Sequence, residues 1–364
     1  MRISMKKIDL LKIIQVIQNV VSARASIPIL SHVLFKSGDG SVSISATDLE
    51  IGVNCSVPAD IEETGTFTLP GKTFFDIIRF APEDMVILEG DDEKVEIKSG
   101  KSRFKINCLP AEEFPRIPDA EREGGFNLSH KDVKHLIKKT LFAVSREESR
   151  YALNGVLMSV SGGDITAVAT DGRRLSHLTK KIEDREFQKS AILPSKGLSE
   201  LNRMAEGSEE DINVCLGENE VLFRTKDMVL MARLIKGEFV DYEKIIPRDY
   251  NVRIPLERES FLDLLKRASI LMSESSRMVK INLAESRMLI TASTEIGESS
   301  DEIVIDYAGE EIAMAFNPEY LVDYLQNESC GELFMDIVNP KSPVVFRPSD
   351  DEGYLYIVMP LKLH

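Results

Sequence analysis

The stretch Ala167-Val-Ala-Thr-Asp171 decides the fold, because the first third of the chain contains a near copy of it, Ile44-Ser-Ala-Thr-Asp48. A third version, Ile290-Thr-Ala-Ser-Thr294, lies in the last third. Each is an apolar run with small polar residues, typical of a strand, and the Thr-Asp ending of the first two indicates a turn. Self-similarity at a fixed spacing is the signature of a repeated structural unit.

The residues around this stretch repeat as well. A short strand and an amphipathic helix precede it in each third, and the helices are predicted over Lys6 to Ser22, after Ser129, and over Glu259 to Met272. Ser129 with Asp132 three residues later resembles a capping arrangement. An arginine follows each helix at nearly the same offset, namely Arg24, Arg150 and Arg277.

A second helix is predicted in each third. The apolar strands after the three arginines are expected over Ile27 to Phe35, Tyr151 to Met158, and Met278 to Leu283. Pro70, Pro194 and Pro318 then mark the first turns of helices expected over Gly71–Phe80, Ser195–Ala205 and Glu319–Gln326. The pattern predicts an α+β fold made of three copies of a unit with two helices and about eight strands.

The predicted domains are residues 1–122, 123–249 and 250–364. Polar stretches containing Gly or Pro, typical of linkers, fall near residues 119–125 and 247–250.

The composition indicates an ordinary globular protein. The chain has 364 residues, is 43% hydrophobic and 29% charged, and lacks an apolar run of about 18 residues or more. Polar residues such as Asp9 and Lys12 interrupt the N-terminal helix, which argues against a signal peptide and for a cytoplasmic protein. Four separated cysteines, without a C-x-x-C pair or a histidine cluster, predict reduced, buried thiols and no metal site: Cys55, Cys108, Cys215 and Cys330.

No catalytic arrangement has the required spacing. Gly71-Lys72-Thr73 and Gly100-Lys101-Ser102 look like the end of a phosphate loop, but each lacks the earlier glycine. G-x-S-x-G, H-E-x-x-H and G-x-G-x-x-G are absent from the sequence. Asp48 and Asp171 are better explained as turn residues than as catalytic carboxylates. We therefore predict no catalytic residue, no metal and no cofactor.

The formal charge of −15 argues against a nucleic-acid partner, but the helices carry the opposite charge. Lys131, Lys134 and Lys138 share one helix face, with His135 and Lys139 beside it. Basic residues occur on or beside five of the six predicted helices, although Glu319–Gln326 has none. Two interpretations stay open: separate solvated helix faces, or one shared basic surface that contacts phosphates without reading bases.

Five segments do not identify a family one by one, but their joint order and spacing are highly specific. They are Arg24 before Ile27-Pro-Ile-Leu30, Ala46-Thr-Asp-Leu-Glu50, Arg150-Tyr-Ala-Leu-Asn-Gly155, Ala169-Thr-Asp-Gly-Arg-Arg-Leu175, and the terminal Tyr356-Ile-Val-Met-Pro-Leu-Lys-Leu363. In this combination the chain resembles, over essentially its whole length, the bacterial β sliding clamps, the β subunits of DNA polymerase III. The resemblance implies three clamp domains per chain and a head-to-tail dimer that forms a closed ring with outer antiparallel sheets and inner helices. It also implies a processivity factor without catalytic activity of its own.

The resemblance further implies partners and sites. The partners would be a second copy, double-stranded DNA bound without sequence preference, the DNA polymerase III α subunit, the clamp loader and other clamp-motif proteins, with no membrane. A hydrophobic client-peptide pocket would comprise Leu153, Thr170, Gly172, Arg173, Arg174, Leu175, Val240, Lys244, Ile245, Val358, Met359, Pro360, Leu361 and Lys362. The family often has Pro in place of Val240 and His or Tyr in place of Arg173, so the peptide preference is expected to be shifted.

The remaining site residues also come from the resemblance. DNA contacts carry over to Arg24, Arg150 and Tyr151, with Lys134, Lys138 and Arg203 added from the basic helix faces. The dimer interface carries over to Arg103, Phe104, Ile106, Ile270, Leu271, Glu298, Asp301 and Glu302.

Three other interpretations compete with this one. One is an enzyme with its site at Thr170 to Arg174, which the missing nucleophile–base pairing disfavours. Another is a trimeric DNA ring of the archaeal and eukaryotic kind, which has two repeats per chain where this chain has three. The last is a multidomain adhesion or scaffold protein that does not bind DNA.

Overall fold

A computed structural model describes residues 1–21, 26–117, 124–206, 209–272 and 277–362. These residues form two compact units. Unit 1 comprises Met1–Lys134 with Lys196–Leu234, and unit 2 comprises His135–Ser195 with Ile235–His364. Among the residues named above, Ser22, Arg24, Leu363 and His364 lie outside the described residues.

Six α-helices occur in the described residues, in the order predicted for three helix pairs. They are α1 (Lys7–Ile17), α2 (Gly71–Phe80), α3 (His130–Thr140), α4 (Ser195–Ala205), α5 (Arg258–Ala268) and α6 (Pro318–Asn327). The Ser129 cap is confirmed, since its Oγ accepts the Asp132 N–H at 3.1 Å and donates to the Asp132 carboxylate at 2.8 Å. Short 3-10 segments lie at Pro28–Ser31, Ala111–Glu113, Leu141–Ala143, Glu148–Leu153 and Tyr242–Lys244.

Two helices end earlier than predicted. α1 stops at Ile17 rather than Ser22, and α5 stops at Ala268 rather than Met272. In both cases a tighter turn follows the end of the helix. The Val20 N–H donates to the Ile17 carbonyl and the Ile270 N–H to the Arg267 carbonyl, each three residues earlier. Such i→i+3 bonds use carbonyls that a helix end would otherwise leave unpaired.

The strands alternate with these helices. In chain order they are β1 (Arg2–Lys6), β2 (His32–Ser37), β3 (Ser41–Thr47), β4 (Ile51–Pro58), β5 (Asp60–Glu63), β6 (Thr66–Pro70), β7 (Met85–Gly90), β8 (Lys94–Ser99), β9 (Ser102–Asn107), β10 (Phe126–Leu128), β11 (Gly155–Ser161), β12 (Asp164–Thr170), β13 (Arg174–Lys181), β14 (Lys189–Pro194), β15 (Ile212–Leu216), β16 (Glu220–Arg224), β17 (Met228–Arg233), β18 (Val252–Glu257), β19 (Val279–Ala284), β20 (Arg287–Thr294), β21 (Gly297–Val304), β22 (Ile312–Phe316), β23 (Glu332–Ile337), β24 (Val344–Pro348) and β25 (Tyr354–Val358).

Each unit holds one long antiparallel sheet and one shorter sheet. In unit 1 the sheet orders are β10-β15-β16-β17-β4-β3-β2-β6 and β5-β1-β7-β8-β9. In unit 2 they are β14-β11-β12-β13-β25-β24-β23-β18 and β21-β20-β19-β22. Strands β9 and β21 lie at sheet edges, so one side of each has no strand partner within its sheet.

Both long sheets continue across a predicted domain boundary. Strand β17 pairs with β4 from Met228↔Cys55 to Ala232↔Ile51, and β13 pairs with β25 from Arg174↔Val358 to Leu178↔Tyr354. Because neighbouring repeats share hydrogen-bonded strands, the compact units do not follow the three repeats. The domain limits 1–122, 123–249 and 250–364 therefore stay predictions.

Two local predictions were wrong. The chain forms 3-10 turns before β2 and β11, so Ile27 to Phe35 and Tyr151 to Met158 are strands only in their second parts. Pro28 opens the first of these turns, where its fixed φ suits a helical start. Pro70 and Pro194 end the edge strands β6 and β14 instead of entering a helix, and only Pro318 lies in a first helical turn.

Apolar side chains from the sheets and helices form the buried core. In unit 1, Phe35 of β2 lies 5.2 Å from Phe67 and 5.1 Å from Phe74, ring centroid to ring centroid, which packs α2 onto the sheet. In unit 2, Tyr324 of α6 stacks on Tyr356 of β25 at 4.7 Å. Among the described helices, none is long and apolar enough to cross a membrane.

Candidate functional site

The repeated Thr-Asp ending forms the same turn in the first two repeats. In the first, the Thr47 hydroxyl donates to the Ile51 carbonyl at 2.8 Å and accepts the Leu49 N–H at 3.1 Å. The Asp48 carboxylate accepts the N–H groups of Glu50 and Ile51 at 3.0 and 2.9 Å. The Thr-Asp pair thus closes the β3–β4 hairpin with side-chain bonds, which explains its recurrence.

The second copy of this turn joins β12 to β13. The Thr170 hydroxyl donates to the Arg174 carbonyl at 2.6 Å and accepts the Gly172 N–H at 3.0 Å. The Asp171 carboxylate accepts the N–H groups of Arg173 and Arg174 at 2.9 and 3.1 Å. Gly172 has a φ of +85°, and the matching Leu49 has +77°, so this position requires a left-handed backbone in both repeats.

Arg174 joins this turn to α6. Its Nε donates to Asp171 at 3.0 Å and its Nη1 to Asp323 at 2.7 Å. The guanidinium carbon lies 4.6 Å from the centroid of the Tyr320 ring, within reach of a cation–π interaction. Arg173 donates to the Tyr320 side chain, which raises the pKa of this guanidinium. Sequence reasoning missed Tyr320 and Asp323, because only the folded chain brings α6 beside the turn.

Arg150 holds the other side of the turn. Its Nη1 donates to the Asp171 carbonyl at 2.6 Å, and its Nε lies 3.2 Å from the Glu147 carboxylate. A methyl group at Gly172 would lie 2.6 Å from the Arg150 Nη1 atom, so the turn approaches Arg150 as closely as glycine permits. The resemblance implied that Arg150 is a DNA contact, and this stays a prediction; in the structure its guanidinium contacts the turn of the predicted pocket. Leu153 ends the same 3-10 segment and is buried.

An apolar cluster lies behind the turn, at the junction of β13 and β25. Leu175 packs there with Val168, Val345, Leu355 and Ile357. Partly buried residues of the loop between β17 and β18 cover this cluster, namely Phe239, Tyr242 and Ile246. The loop that carries the predicted pocket residues Val240, Lys244 and Ile245 is therefore fixed to Leu175.

Exposed apolar side chains surround this junction. Val240, Ile245, Met359 and Leu361 are each between 38 and 40% exposed. The Met359 N–H donates to the Arg173 carbonyl at 2.9 Å, and the Leu361 N–H donates to the Ala315 carbonyl at 2.7 Å. The closing segment thus starts beside the turn at Val358 and Met359 and reaches β22 at Leu361. Pro360 is half-buried and Lys362 exposed.

Charged groups lie at the margin of these apolar residues. Arg173, Lys244 and Lys362 are exposed, and Lys244 pairs with Asp241 at 2.5 Å. His177 packs against Tyr242 with the ring centroids 5.7 Å apart, and burial lowers its pKa. The arrangement is an apolar surface with a few cations around it, which can bind the apolar side chains of a short peptide.

The predicted DNA-binding residues differ in their surroundings. Arg24 lies outside the described residues. Tyr151 and Lys138 are exposed and Lys134 is half-buried, while Arg203 is exposed and pairs with Glu200. The expectation that Lys139 flanks the basic face was wrong, because Lys139 is buried and pairs with Glu328.

The predicted dimer residues lie on or near edge strands. Arg103, Phe104 and Ile106 belong to β9, and Glu298, Asp301 and Glu302 belong to β21. Ile270 is 75% exposed just after α5. A methyl group at Gly297 would lie 3.7 Å from Leu271 Cδ1, so Leu271 is next to β21. Asp301 pairs with Arg267 at 2.5 Å and Glu302 with Arg287 at 3.6 Å in the same chain, so Arg103 would compete for both.

The described residues contain no group of three or more metal-ligating side chains. All four cysteines are free; Cys55 and Cys330 are buried, and Cys108 and Cys215 are half-buried rather than buried as predicted.

Comparisons with known proteins agree over the full chain. Three domain families match in order: the N-terminal domain of the DNA polymerase III beta subunit at residues 1–118, its central domain at 127–241 and its C-terminal domain at 243–362. Beta sliding clamps from Haemophilus influenzae and Escherichia coli are 34% and 33% identical, with all of each chain covered. The sliding clamp structure from Bacillus subtilis matches with a TM-score of 0.96 at 28% identity, and that from Pseudomonas aeruginosa bound to griselimycin with 0.95 at 29%, each over 100% of both chains.

Proposed function

Because this chain belongs to the DNA polymerase III β-subunit family and is a DNA sliding clamp, we propose that it closes into a ring around duplex DNA as a head-to-tail dimer and binds client proteins at the β13–β25 junction. In this proposal it has no catalytic activity of its own, and it holds a polymerase on DNA. The clients are the DNA polymerase III α subunit, the clamp loader and other proteins that carry a clamp-binding peptide. The cytoplasmic location stays a prediction.

One observation carries the client site: the apolar junction beside the Thr170–Arg174 turn. Leu175 and its cluster form the base, and exposed Val240, Ile245, Met359 and Leu361 lie around it. Apolar side chains left in water are stabilised by burial at about 25 cal/mol per Å², so peptide Leu and Phe side chains would bind here. Arg173 and Lys362 stand at the margin, where a peptide's polar groups would lie.

The test is the binding of a fluorescent Gln-Leu-Ser-Leu-Phe peptide, measured by anisotropy. The intact chain is compared with a form that lacks Met359 to His364. We expect binding near 1 μM, about 8 kcal/mol, for the intact chain and a loss of at least tenfold for the shortened one. A folded intact chain that does not bind the peptide would refute the client site.

The proposed dimer rests on the two edge strands. Strands β9 and β21 each leave a row of backbone groups without a strand partner within the sheet, so β9 of one copy can pair with β21 of another. Such a head-to-tail contact closes a ring when the rotation between copies permits.

Replacing Ile270 and Leu271 together by alanine should weaken this dimer. Removing two large apolar side chains from the interface costs burial free energy, so the monomer fraction should rise in analytical ultracentrifugation. Ile8→Ala is the matched control, since Ile8 is exposed on α1, outside the proposed interface. An unchanged dimer in the double variant would contradict the interface.

The proposed DNA contacts are few, and all but one are basic. Arg24, Arg150, Tyr151, Lys134, Lys138 and Arg203 are their proposed residues. Because phosphate contacts release counterions, substitution of Arg24 and Arg150 by alanine should lower both the affinity for duplex DNA and its dependence on salt. Unchanged binding at low salt would count against both arginines.

A further inference from the structure

A buried ion pair joins α3 to the end of α6. Lys139 is 3% exposed in the last turn of α3, and Glu328 is 5% exposed at the C-cap of α6. The Lys139 Nζ atom lies 2.5 Å from Glu328 Oε2. Taking two charges out of water costs several kcal/mol for each ion, which the pair offsets only when geometry and hydrogen bonding are good.

The remaining polar atoms around this pair have partners. The other carboxylate oxygen of Glu328 accepts the N–H groups of Ser329 at 2.7 Å and Cys330 at 3.2 Å. The Lys139 ammonium lies 4.5 Å from the centroid of the Tyr354 ring. Each charge is therefore fixed from two directions, which limits the positions that the end of α6 can take.

The same residues connect to the strands of the client site. The Lys139 carbonyl accepts hydrogen bonds from the Tyr354 hydroxyl of β25 at 3.1 Å and from the Ser176 hydroxyl of β13. The Ser176 hydroxyl also lies 3.2 Å from the Tyr354 hydroxyl. One polar cluster thus joins α3, α6 and the two strands whose pairing forms the base of the site.

Helix α6 connects the Lys139–Glu328 pair to the Thr170–Arg174 turn. It carries Tyr320 and Asp323, which contact Arg174. The Tyr320 carbonyl also accepts a hydrogen bond from the Tyr356 hydroxyl at 2.8 Å. The hydrophobic effect is non-directional, so the directional polar contacts of α6 contribute most to its position along the helix axis. A shift of α6 would move Asp323 and Tyr320 away from Arg174 and release the Thr170–Arg174 turn.

We propose that Lys139 and Glu328 are positioning residues of the client site: their ion pair fixes α6 along its axis, and α6 then holds the Arg174 turn in the conformation that binds peptide. This inference rests on the proposed client site. Neither residue touches the peptide; both act through α6. Buried polar pairs are known to fix one packing register in other proteins, at a cost in stability.

The test uses variants that keep the shape of the pair. Lys139→Met with Glu328→Gln removes both charges, while the glutamine oxygen still accepts the Ser329 and Cys330 N–H groups. We expect this double variant to remain a folded dimer and to bind the fluorescent peptide at least tenfold more weakly. Lys139→Arg, which keeps the cation, should bind within about threefold of the wild type, about 0.7 kcal/mol.

A Lys–Glu pair outside the client site controls for the removal of charge. In unit 1 the half-buried Lys98 Nζ atom lies 2.6 Å from Glu89 Oε2 and 3.0 Å from Glu96 Oε2. The same substitutions there, Lys98→Met with Glu89→Gln, should leave peptide affinity unchanged even where the melting temperature falls. Affinity lost equally in both double variants would show a general effect and overturn the proposal.

The outcomes distinguish this inference from the proposed function. A wild-type chain that does not bind the peptide refutes the client site itself. A wild-type chain that binds, with a folded Lys139→Met/Glu328→Gln variant that binds equally well, overturns the positioning role alone. If the double variant does not fold, Glu328→Gln alone decides: it keeps the backbone hydrogen bonds, and wild-type affinity in this variant would equally overturn the proposal.

Discussion

Gly172→Ala tests whether the shape of the Thr170–Arg174 turn controls peptide binding. Gly172 has a φ of +85°, and a residue with a side chain pays about 1–2 kcal/mol for a left-handed backbone. The added methyl group would also lie 2.6 Å from Arg150 Nη1, so Arg150 must leave the Asp171 carbonyl. The loss of this exposed contact adds at most about 1 kcal/mol, for a total of about 1–3 kcal/mol.

Gly162→Ala supplies the control within the same unit. Gly162 has a φ of +62° in the β11–β12 turn, and a methyl group there would meet no atom within 4 Å. Gly162→Ala should therefore lower the free energy of unfolding only by the backbone term of about 1–2 kcal/mol. Urea unfolding measures both losses, and anisotropy with the fluorescent peptide measures affinity.

We expect Gly172→Ala to lose more stability than Gly162→Ala and to bind the peptide about tenfold more weakly, about 1.4 kcal/mol. Gly162→Ala should bind like the wild type, because its turn lies at the other end of the β12 strand. Equal losses of stability in the two variants, with wild-type affinity in both, would refute the idea that Arg150 and Gly172 shape the site.

Three further predictions follow from particular contacts. Asp171→Ala should lower the free energy of unfolding by about 1–3 kcal/mol in urea titrations, because two turn N–H groups lose their acceptor, whereas Asp171→Asn keeps that acceptor and should lose less. Burial lowers the pKa of His177 from its ordinary 6.5, so the unfolded chain takes up this proton first and stability falls as the pH drops below 6.5. His177→Gln should remove that part of the slope, at most about 1.4 kcal/mol per pH unit; an unchanged slope would contradict the burial effect. Lys138→Ala should reduce the salt dependence of DNA binding by about one phosphate contact, while Lys139→Ala, at the buried neighbouring position, should leave it unchanged and lower stability instead.

Local chemistry made much of the fold readable from the sequence. The Thr-Asp turn recurs because Thr47 with Asp48, and Thr170 with Asp171, close their hairpins through bonds within four residues. Helix starts were equally local, as the Ser129 cap shows. The apolar stripes of the helices gave their positions, because burial of one face has the helix period. Short-range rules of this kind need no knowledge of the partner strand or helix.

The parts that sequence reasoning missed depend on contacts between distant residues. Lys139 looked like a member of a basic face, because its position on the helix was visible but Glu328, its partner far along the chain, was not. Tyr320 and Asp323 join the candidate site only because β13 pairs with β25 and brings α6 beside Arg174. The sequence by itself determined the repeats, the turns and the family. Tertiary structure alone decided which charges are buried and which side chains meet at the junction, because both depend on contacts between residues about half the chain length apart.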